Sequence, residues 1–242
     1  MNLYEYLYPF NGENMFFTNT FDEVLISTFN NHNSTIIMSL HLHLHPEHPQ
    51  QRHIARIVEE LRRGGLIIYP TDTIYGLGCD IFHKKAIDQI YQVKQESRHK
   101  PLSFVCADLT DLARYAKNIS NASYRLMKRL LPGPYTFILE ASRDVPKFMM
   151  GKQKTVGIRV PDNEICLAIV KALERPIIST SVVTQDDELL NDPDIIEARF
   201  GKVVDIIVDG GIITSEPSTV IDLTGDEPVV LRAGKGYAAL SP

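Results

Sequence analysis

Tyr69-Pro70-Thr71-Asp72-Thr73-Ile74-Tyr75-Gly76-Leu77-Gly78 is the stretch that decides the expected fold and site. The apolar run Leu66 to Tyr69 predicts a buried strand, which leads into hydroxyls, one carboxylate and two glycines. Ligands of α/β proteins bind at strand ends, where short hydroxyl side chains reach polar substrates and glycine lets backbone amides approach anionic oxygens. A turn capped by Thr or Asp would have the same spacing. Both interpretations remain open.

Helical and extended patterns alternate on both sides of this stretch. Apolar spacing predicts helices at Gln51 to Arg63, Lys84 to Lys94, Asp108 to Ala116 and Ser120 to Leu131, and after the expected caps Asp162 and Asp192. Further strands are predicted at Leu102 to Cys106, Tyr135 to Leu139, Thr155 to Val160, Ile177-Ile178, Val203 to Val208, Thr219 to Leu223 and Val229 to Leu231. This alternation predicts an α/β fold, a single-domain twisted mixed β-sheet flanked by helices. The domain is expected over residues 38–242, and the Asn-rich, aperiodic residues 1–37 are expected to form a poorly ordered N-terminal extension.

Composition limits the functional classes. The 242 residues include 25 basic and 30 acidic residues, giving a net charge of -5, so any RNA contact must be local. Cys79, Cys106 and Cys166 are far apart and form no CxxC motif, which indicates a reducing compartment. The sequence contains no long apolar run and no signal-peptide pattern. We therefore expect a cytoplasmic protein without a membrane segment, and the oligomeric state stays open.

Nucleotide binding would have to use dispersed residues. The sequence has no GxxxxGK[ST] motif, and Gly76-Leu77-Gly78 lacks the third glycine of GxGxxG. Cations and hydroxyls far apart in the chain could hold phosphates instead, although each type is also common as a solvated surface group or a cap. The candidates are Lys94, Arg98, Lys100, Arg159 and Arg232, with Thr136, Ser179, Ser181 and Ser218.

Several short motifs occur in an order that resembles the YrdC/YciO family, whose best-known members are threonylcarbamoyl-adenylate synthases. The resemblance covers about Ser39 to Gly236 and is closest to the YciO branch. Its carriers are Pro70 to Gly78, Lys94 with Lys100-Pro101-Leu102, Leu131 to Leu139, Gly157 to Pro161, Asp209-Gly210-Gly211, Ser218 to Asp222 and Leu231 to Gly234. It implies a YrdC-like fold.

The resemblance also implies an activity and roles for residues. Such enzymes join L-threonine, bicarbonate and ATP, with Mg²⁺, into threonylcarbamoyl-AMP and pyrophosphate for tRNA threonylcarbamoyladenosine formation. By resemblance, Lys94, Arg159 and Ser181 would be catalytic, and ATP would contact Lys94, Arg98, Lys100, Thr136, Ser179, Ser181, Ser218 and Arg232. Threonine would contact Thr71, Thr73, Tyr75 and Arg159. No resident metal ligands are implied.

Two signature positions depart from the synthase pattern KxR and SxN. The first segment reads Lys94-Gln95-Glu96 and the second reads Ser181-Val182-Val183. Glutamate thus replaces arginine and valine replaces asparagine. A lost charge-assisted hydrogen bond costs about 1.5–3 kcal/mol, and a carboxylate near phosphates adds repulsion. Unless Arg98 compensates, we expect a divergent or slow synthase.

Two further patterns have alternative interpretations. Alternating histidines could bind a metal on one strand face, or could be polar residues of an edge strand, which we prefer; they are His41, His43, His45 and His48. The basic residues Arg125, Lys128 and Arg129 share one helical face, which could contact RNA phosphates or simply face water. A non-catalytic protein that binds double-stranded RNA or the ribosome is therefore the second functional hypothesis. A third hypothesis is carbamoyl transfer in hydrogenase maturation. We expect it least, because the modules that accompany this use of the fold are not found in the sequence.

Overall fold

A computed structural model describes residues 38–94, 102–146, 149, 154–184 and 188–240 of the protein. The predicted extension over residues 1–37 lies outside them, as do Glu96, Arg98 and Lys100. The helices are α1 Gln51–Arg63, α2 Lys84–Val93, α3 Leu109–Tyr115, α4 Asn121–Leu130, α5 Glu164–Leu173 and α6 Pro193–Phe200. The strands are β1 Leu40–His43, β2 Ile67–Tyr69, β3 Gly76–Asp80, β4 Ser103–Val105, β5 Tyr135–Glu140, β6 Thr155–Arg159, β7 Ile177–Ser181, β8 Ile206–Asp209, β9 Thr219–Asp222 and β10 Val229–Arg232. A short 3-10 helix, Tyr237–Leu240, follows β10.

All the described strands belong to one mixed sheet. Their spatial order is β1-β8-β2-β3-β7-β4-β6-β5-β9-β10. The pairs β1–β8, β2–β8, β4–β6 and β5–β9 are parallel, whereas the other neighbours are antiparallel. The predicted mixed sheet flanked by helices is therefore confirmed. None of the helices in the described part combines the length and apolar content that a membrane-spanning segment needs.

The main core lies between two helices and the sheet. Helix α1 buries Ile54, Ile57, Val58 and Leu61, the apolar spacing from which it was predicted, and Gly64 ends it at φ 91°. Its buried face joins apolar residues of α5 and of the central strands in one cluster. Burying a side chain of this size stabilises the fold by roughly 1.5–3 kcal/mol, so this cluster holds helices α1 and α5 on the sheet.

The helix caps agree with the sequence in most places. Asp192 caps α6 by accepting a hydrogen bond from the Asp194 backbone, with Pro193 at the first helical turn as predicted. The prediction of Asp162 as the cap of α5 was wrong. Asn163 is the cap, because its side chain accepts from the Cys166 backbone three residues further on, the usual cap spacing.

The two glycines after Tyr75 form part of a strand that the sequence analysis did not predict. Gly76 and Gly78 lie in β3, which pairs with β2 and β7. A Cβ on Gly76 would lie 2.9 Å from Ser179 Oγ, and one on Gly78 would lie 2.6 Å from Ile177 Cγ2. These glycines therefore let β3 pack closely against its neighbours, a role that neither of the two interpretations of this stretch included.

Candidate functional site

A cavity of about 320 Å³ opens on one face of the sheet. Successive strand residues point to opposite faces, so residues two apart share a face. The strands contribute such pairs in turn: Ser103 and Val105, Thr136 and Ile138, Gly157 and Arg159, Ser179 and Ser181, and Ser218 and Val220. Thr71, Ile74, Tyr75, Gly76, Leu102, Thr180 and Arg232 complete the lining. The cavity is thus a depression built from hydroxyls, two guanidinium groups and apolar side chains.

Arg159 is held on one side of the cavity by a buried carboxylate. Its Nη2 donates to Asp72 Oδ1 at 3.0 Å and to Thr73 Oγ1 at 2.9 Å. The side chains are only 12% and 7% exposed for Arg159 and Asp72. Arg159 Nε and Asp72 Oδ2 are nevertheless buried without a hydrogen-bond partner in the described part of the chain. Buried polar atoms are rarely left unpaired, so these two mark a place where a ligand or water belongs.

Thr71 both caps a turn and faces the cavity. Its hydroxyl donates to the carbonyl of Ile74 at 2.6 Å and accepts from the Thr73 backbone at 3.1 Å. Thr71 also lines the cavity. The capped turn is therefore present, and the same residue also faces the cavity, where ligand binding stays a prediction.

Ser218 joins three residues of the opposite wall. Its hydroxyl lies 2.8 Å from Thr136 Oγ1 and accepts from Arg232 Nη2 at 3.1 Å, while its carbonyl accepts from Arg232 Nε at 3.0 Å. Burial and the positive charge of Arg159 lower the pKa of Arg232. An anion between the two guanidinium groups would relieve this repulsion, so the electrostatics of the wall favour an acidic ligand.

The remaining polar wall contains further hydroxyls. Ser179 accepts from the buried Tyr69 hydroxyl at 2.8 Å and keeps its own proton to donate. Among the described residues, no side chain is bonded to the hydroxyls of Ser103 and Ser181, which face the same cavity. These groups can hydrogen-bond a polar ligand without breaking an existing bond.

Tyr75 connects the cavity to the loop after β8. Its hydroxyl donates to the Gly211 carbonyl at 2.8 Å and accepts from the Gly210 backbone at 3.2 Å. Burial raises the pKa of Tyr75, so the phenol stays neutral. Tyr75 therefore positions the loop and presents an aromatic wall to the cavity.

The structure brings together most of the residues predicted for the site. Eight line the cavity, namely Thr71, Tyr75, Thr136, Arg159, Ser179, Ser181, Ser218 and Arg232. Thr73 does not line the cavity, but its hydroxyl accepts a hydrogen bond from Arg159. Lys94 is the half-buried C-cap of helix α2 and does not line the cavity either. Arg98 and Lys100 lie outside the described residues.

Four polar groups near the cavity were not among the predicted site residues. They are Asp72, Ser103, Thr180 and Lys235. The alternation rule could have found Ser103, because it precedes the predicted strand residues Phe104 and Val105 by one and two positions. Asp72 and Lys235 depend on contacts across the sheet that no local pattern contains.

The described lining of the cavity offers no carboxylate ligands for Mg²⁺. No Asp or Glu is among the described lining residues, and Asp72 is already paired with Arg159. Protein-held Mg²⁺ usually has one or two carboxylate ligands besides phosphates and water. The described residues therefore fit Mg²⁺ only as an ion carried by a nucleotide.

Two of the four alternating histidines, His41 and His43, lie in the edge strand β1, whereas His45 and His48 follow it outside any strand. His41 is 2.7 Å from Glu197 Oε2 and 3.4 Å from Asp209 Oδ2, and His43 is 2.9 Å from the same Asp209 oxygen. In the described chain, no three His, Cys, Asp or Glu side chains form a group that could hold a metal ion. His41 and His43 thus have carboxylate partners that the sequence analysis did not identify.

The basic face of helix α4 is open to solvent. Arg125, Lys128 and Arg129 are exposed, whereas Met127 and Leu130 are buried against the fold. Tyr124, 43% exposed, lies on the same helix. This surface is available to a macromolecular partner but also has the pattern of an ordinary amphipathic helix.

Fold and site together define an α/β protein with a hydroxyl- and guanidinium-lined cavity on the face of a mixed sheet. The Sua5/YciO/YrdC family model, described as telomere recombination, matches residues 59–234, and this chain belongs to that family. Escherichia coli YciO, described as uncharacterised, is 44% identical over 201 residues, covering 82% of this chain and 97% of YciO. Its crystal structure covers the same shares with a TM-score of 0.79.

Two more distant matches carry a functional name or ligand. The threonylcarbamoyl-AMP synthase of Pyrococcus abyssi is 35% identical over 175 residues, which are 72% of this chain but 52% of the synthase. The crystal structure of P. abyssi Sua5 complexed with L-threonine is 32% identical with a TM-score of 0.76, covering 81% of this chain and 58% of Sua5. The present chain thus spans little more than half of these relatives.

Proposed function

We propose that this protein is a divergent cytoplasmic nucleotidyltransferase that makes threonylcarbamoyl-AMP from L-threonine, bicarbonate and ATP. The product would supply the formation of threonylcarbamoyladenosine in tRNA. One observation carries the proposal: Thr136, Arg159, Ser181, Ser218 and Arg232, distant in sequence, line one cavity. Named synthases among the relatives support it.

The cavity divides into two regions with different chemistry. Arg232, Ser218 and Thr136 form a connected donor set suited to phosphate oxygens, because charge-assisted hydrogen bonds to anions are strong. The hydroxyls of Ser179 and Ser181 lie on another strand of the same cavity. We assign the triphosphate to the Arg232 region.

The unpaired atoms beside Arg159 fit an amino acid. Arg159 Nε can only donate, and Asp72 Oδ2 can only accept when ionised. A zwitterionic amino acid offers a carboxylate to the first and an ammonium group to the second. A related protein, P. abyssi Sua5, has been crystallised with L-threonine. We therefore assign L-threonine to this side of the cavity.

The reaction needs no covalent intermediate on the protein. The deprotonated amine of threonine attacks the carbon of bicarbonate, and water leaves to give the N-carboxylate. An oxygen of this carbamate then attacks the α-phosphorus of ATP, and pyrophosphate leaves. The chain's contribution is to position the reactants and to stabilise phosphate charge through Arg232 and its hydroxyl partners. The free cysteines are buried, and burial raises the pKa of Cys79 and Cys166, so they remain thiols.

The altered signature positions make the proposed reaction slow. Ser181 lines the cavity, but Val183 forms an isolated bridge with Leu189 and offers no polar side chain. Glu96 lies outside the described residues. Loss of two charge-assisted or polar contacts is expected to lower turnover by about 100-fold or more relative to an intact signature.

The test is pyrophosphate release from ATP by the full-length protein. The rate should depend on both L-threonine and bicarbonate, and mass spectrometry should detect threonylcarbamoyl-AMP. Arg232→Gln serves as the inactive control and the exposed Lys171→Gln as the neutral one. Absence of turnover together with absence of an ATP-induced rise in Tm would overturn the proposal.

A second function rests on the exposed basic face of α4. Arg125, Lys128 and Arg129 could contact the phosphates of double-stranded RNA or the ribosome without any role for the cavity. This function predicts binding that weakens steeply with salt, is lost in the triple Gln variant and ignores ATP. RNA binding that depends instead on Arg232 would contradict it.

A further inference from the structure

The end of β10 and the residues after it, 232–236, are fixed beside Ser218 in the cavity wall. Lys235 N donates to the Pro217 carbonyl at 2.8 Å, and Thr219 Oγ1 donates to the Gly234 and Lys235 carbonyls at 2.9 and 3.0 Å. A Cβ on Gly234 would lie 2.2 Å from the Pro217 carbonyl oxygen, so the approach of the two backbones requires glycine. The position of the Lys235 backbone is thus determined beside Ser218.

The Lys235 side chain crosses from this wall to the opposite one. Its ammonium group donates to the backbone carbonyl of Asp72, the residue whose side chain holds Arg159. A lysine ammonium has three donors, and this neutral carbonyl is its only partner among the described residues. The Lys235 charge therefore lies beside the Asp72–Arg159 pair, and no carboxylate in the described part of the chain is bonded to it.

The cations around the cavity differ in how they are neutralised. Arg159 is paired with Asp72, whereas the bonded partners of Arg232 are the oxygens of Ser218. Arg232 and Lys235 thus leave two positive charges on one segment, separated by two residues. Two such charges favour a ligand with several negative charges over one with a single phosphate.

We propose that Lys235 is a phosphate-binding residue that makes the cavity select a polyphosphate over a monophosphate nucleotide. This inference rests on the proposed function for the identity of the nucleotide, though the charge argument applies to any polyphosphate. On binding, the flexible side chain of Lys235 exchanges the Asp72 carbonyl for a phosphate oxygen next to those held by Arg232. The exchange costs little free energy, because the ammonium group loses a neutral acceptor and gains a charged one.

The test compares wild type with Lys235→Gln and Lys235→Arg by calorimetric titration with ATP, AMP and inorganic tripolyphosphate. Glutamine keeps an N–H donor on a side chain one bond shorter but carries no charge, whereas arginine keeps the charge, so the two variants together test the charge of Lys235. We expect Lys235→Gln to lower the affinity for ATP and for tripolyphosphate about tenfold or more, and the affinity for AMP less than twofold. Lys235→Arg should retain most of the affinity, and Lys171→Gln should match wild type.

Each outcome decides between the two proposals. Equal weakening of ATP and AMP, or no weakening of either, overturns the role of Lys235 while leaving nucleotide binding intact. If tripolyphosphate binding requires Lys235 but the protein shows no threonine-dependent turnover, the phosphate-binding role of Lys235 is supported and the synthase function is refuted. A wild-type protein that binds neither ATP nor tripolyphosphate refutes both.

Discussion

Arg159 Nη2 lies 3.0 Å from Asp72 Oδ1, and within the described chain each of these two side chains keeps one further buried atom without a hydrogen-bond partner. Removing one member of a buried ion pair leaves an uncompensated charge, which costs about 3–5 kcal/mol. We expect Asp72→Asn to lower the free energy of unfolding by about 3 kcal/mol in urea titrations. L-Threonine should lose its stabilising effect in the same variant. Asp226→Asn, an exposed residue outside the cavity, is the control and should change neither.

The Ser218 hydroxyl is expected to control the orientation of Arg232. Ser218→Ala removes the acceptor of Arg232 Nη2 and the partner of Thr136. A hydrogen bond to a charged group contributes about 1.5–3 kcal/mol, so ATP affinity should fall at least tenfold. Calorimetric titration measures this change, and L-threonine affinity should stay within twofold. Ser215→Ala, in the exposed loop before it, should behave as wild type, and an equal loss in both variants would refute the role of Ser218.

Restoring the signature residues should accelerate the reaction. The double variant Glu96→Arg/Val183→Asn replaces a repelling carboxylate and an apolar side chain with groups that hydrogen-bond anions. We expect threonylcarbamoyl-AMP formation to rise at least tenfold, measured by chromatography of the adenylate product. The exposed Glu47→Arg adds the same charge elsewhere and should leave the rate unchanged. An unchanged rate in the double variant would show that these positions do not limit the reaction.

The close packing of β3 should make Gly78 intolerant of a side chain. A Cβ there would lie 2.6 Å from Ile177 Cγ2 and 2.8 Å from the Ile178 carbonyl. Overpacking of this kind costs about 1–3 kcal/mol, so Gly78→Ala should lower the Tm. Gly225→Ala is the matched control, since its Cβ would meet only the Glu227 carbonyl at 4.0 Å. Equal Tm values for both variants would contradict this packing role.

The histidine pair at the sheet edge should make stability depend on pH. Burial lowers the pKa of His41, but hydrogen bonds and charges from Glu197 and then Asp209 outweigh it, so the pKa is raised above 6.5. His41 therefore stabilises the fold fully below its unfolded pKa, and this contribution disappears as pH rises through the folded pKa. Contacts with His43, the Gly211 backbone and His41 outweigh burial and lower the pKa of Asp209, so it stays ionised throughout.

We accordingly expect His41→Asn to lower the free energy of unfolding more at pH 6 than at pH 8.5. Exposed pairs of this kind contribute about 0.2–1 kcal/mol, so the difference should be small but measurable in paired urea titrations. His53→Asn on helix α1 is a control that lacks these carboxylate partners. A larger loss at pH 8.5 than at pH 6 would reverse the assigned direction.

Local patterns predicted the helices well because their apolar faces repeat along the chain. The bounds of α1 agree with the prediction residue for residue, and α4 differs only at its ends. Strand β3 was missed because its glycines lower strand propensity, while the close packing that requires them involves strands far away in sequence.

Most of the residues that line the cavity were named from the sequence, but the pairs that they form were not. Resemblance identified Arg159, Ser218 and Arg232, which line the cavity. The Asp72–Arg159 pair joins residues 87 positions apart, and the Lys235–Asp72 contact joins residues 163 positions apart. Such contacts follow from the order of strands in the sheet, which no local propensity encodes.

The strand order has a consequence for how the protein acquires its binding capacity during synthesis. Among the described strands, a nascent chain that ends after β5 contains one adjacent pair, β2 and β3, because β8, β7 and β6 separate the others. The strands that pair with the remaining ones, β6, β7 and β8, belong to the second half of the chain. The strands of the two halves therefore alternate in the sheet, and neither half can form the sheet alone. If the two halves are expressed as separate polypeptides, we expect nucleotide binding only after they associate. We also expect no ribosome-bound nascent chain to bind nucleotide before β10 has emerged.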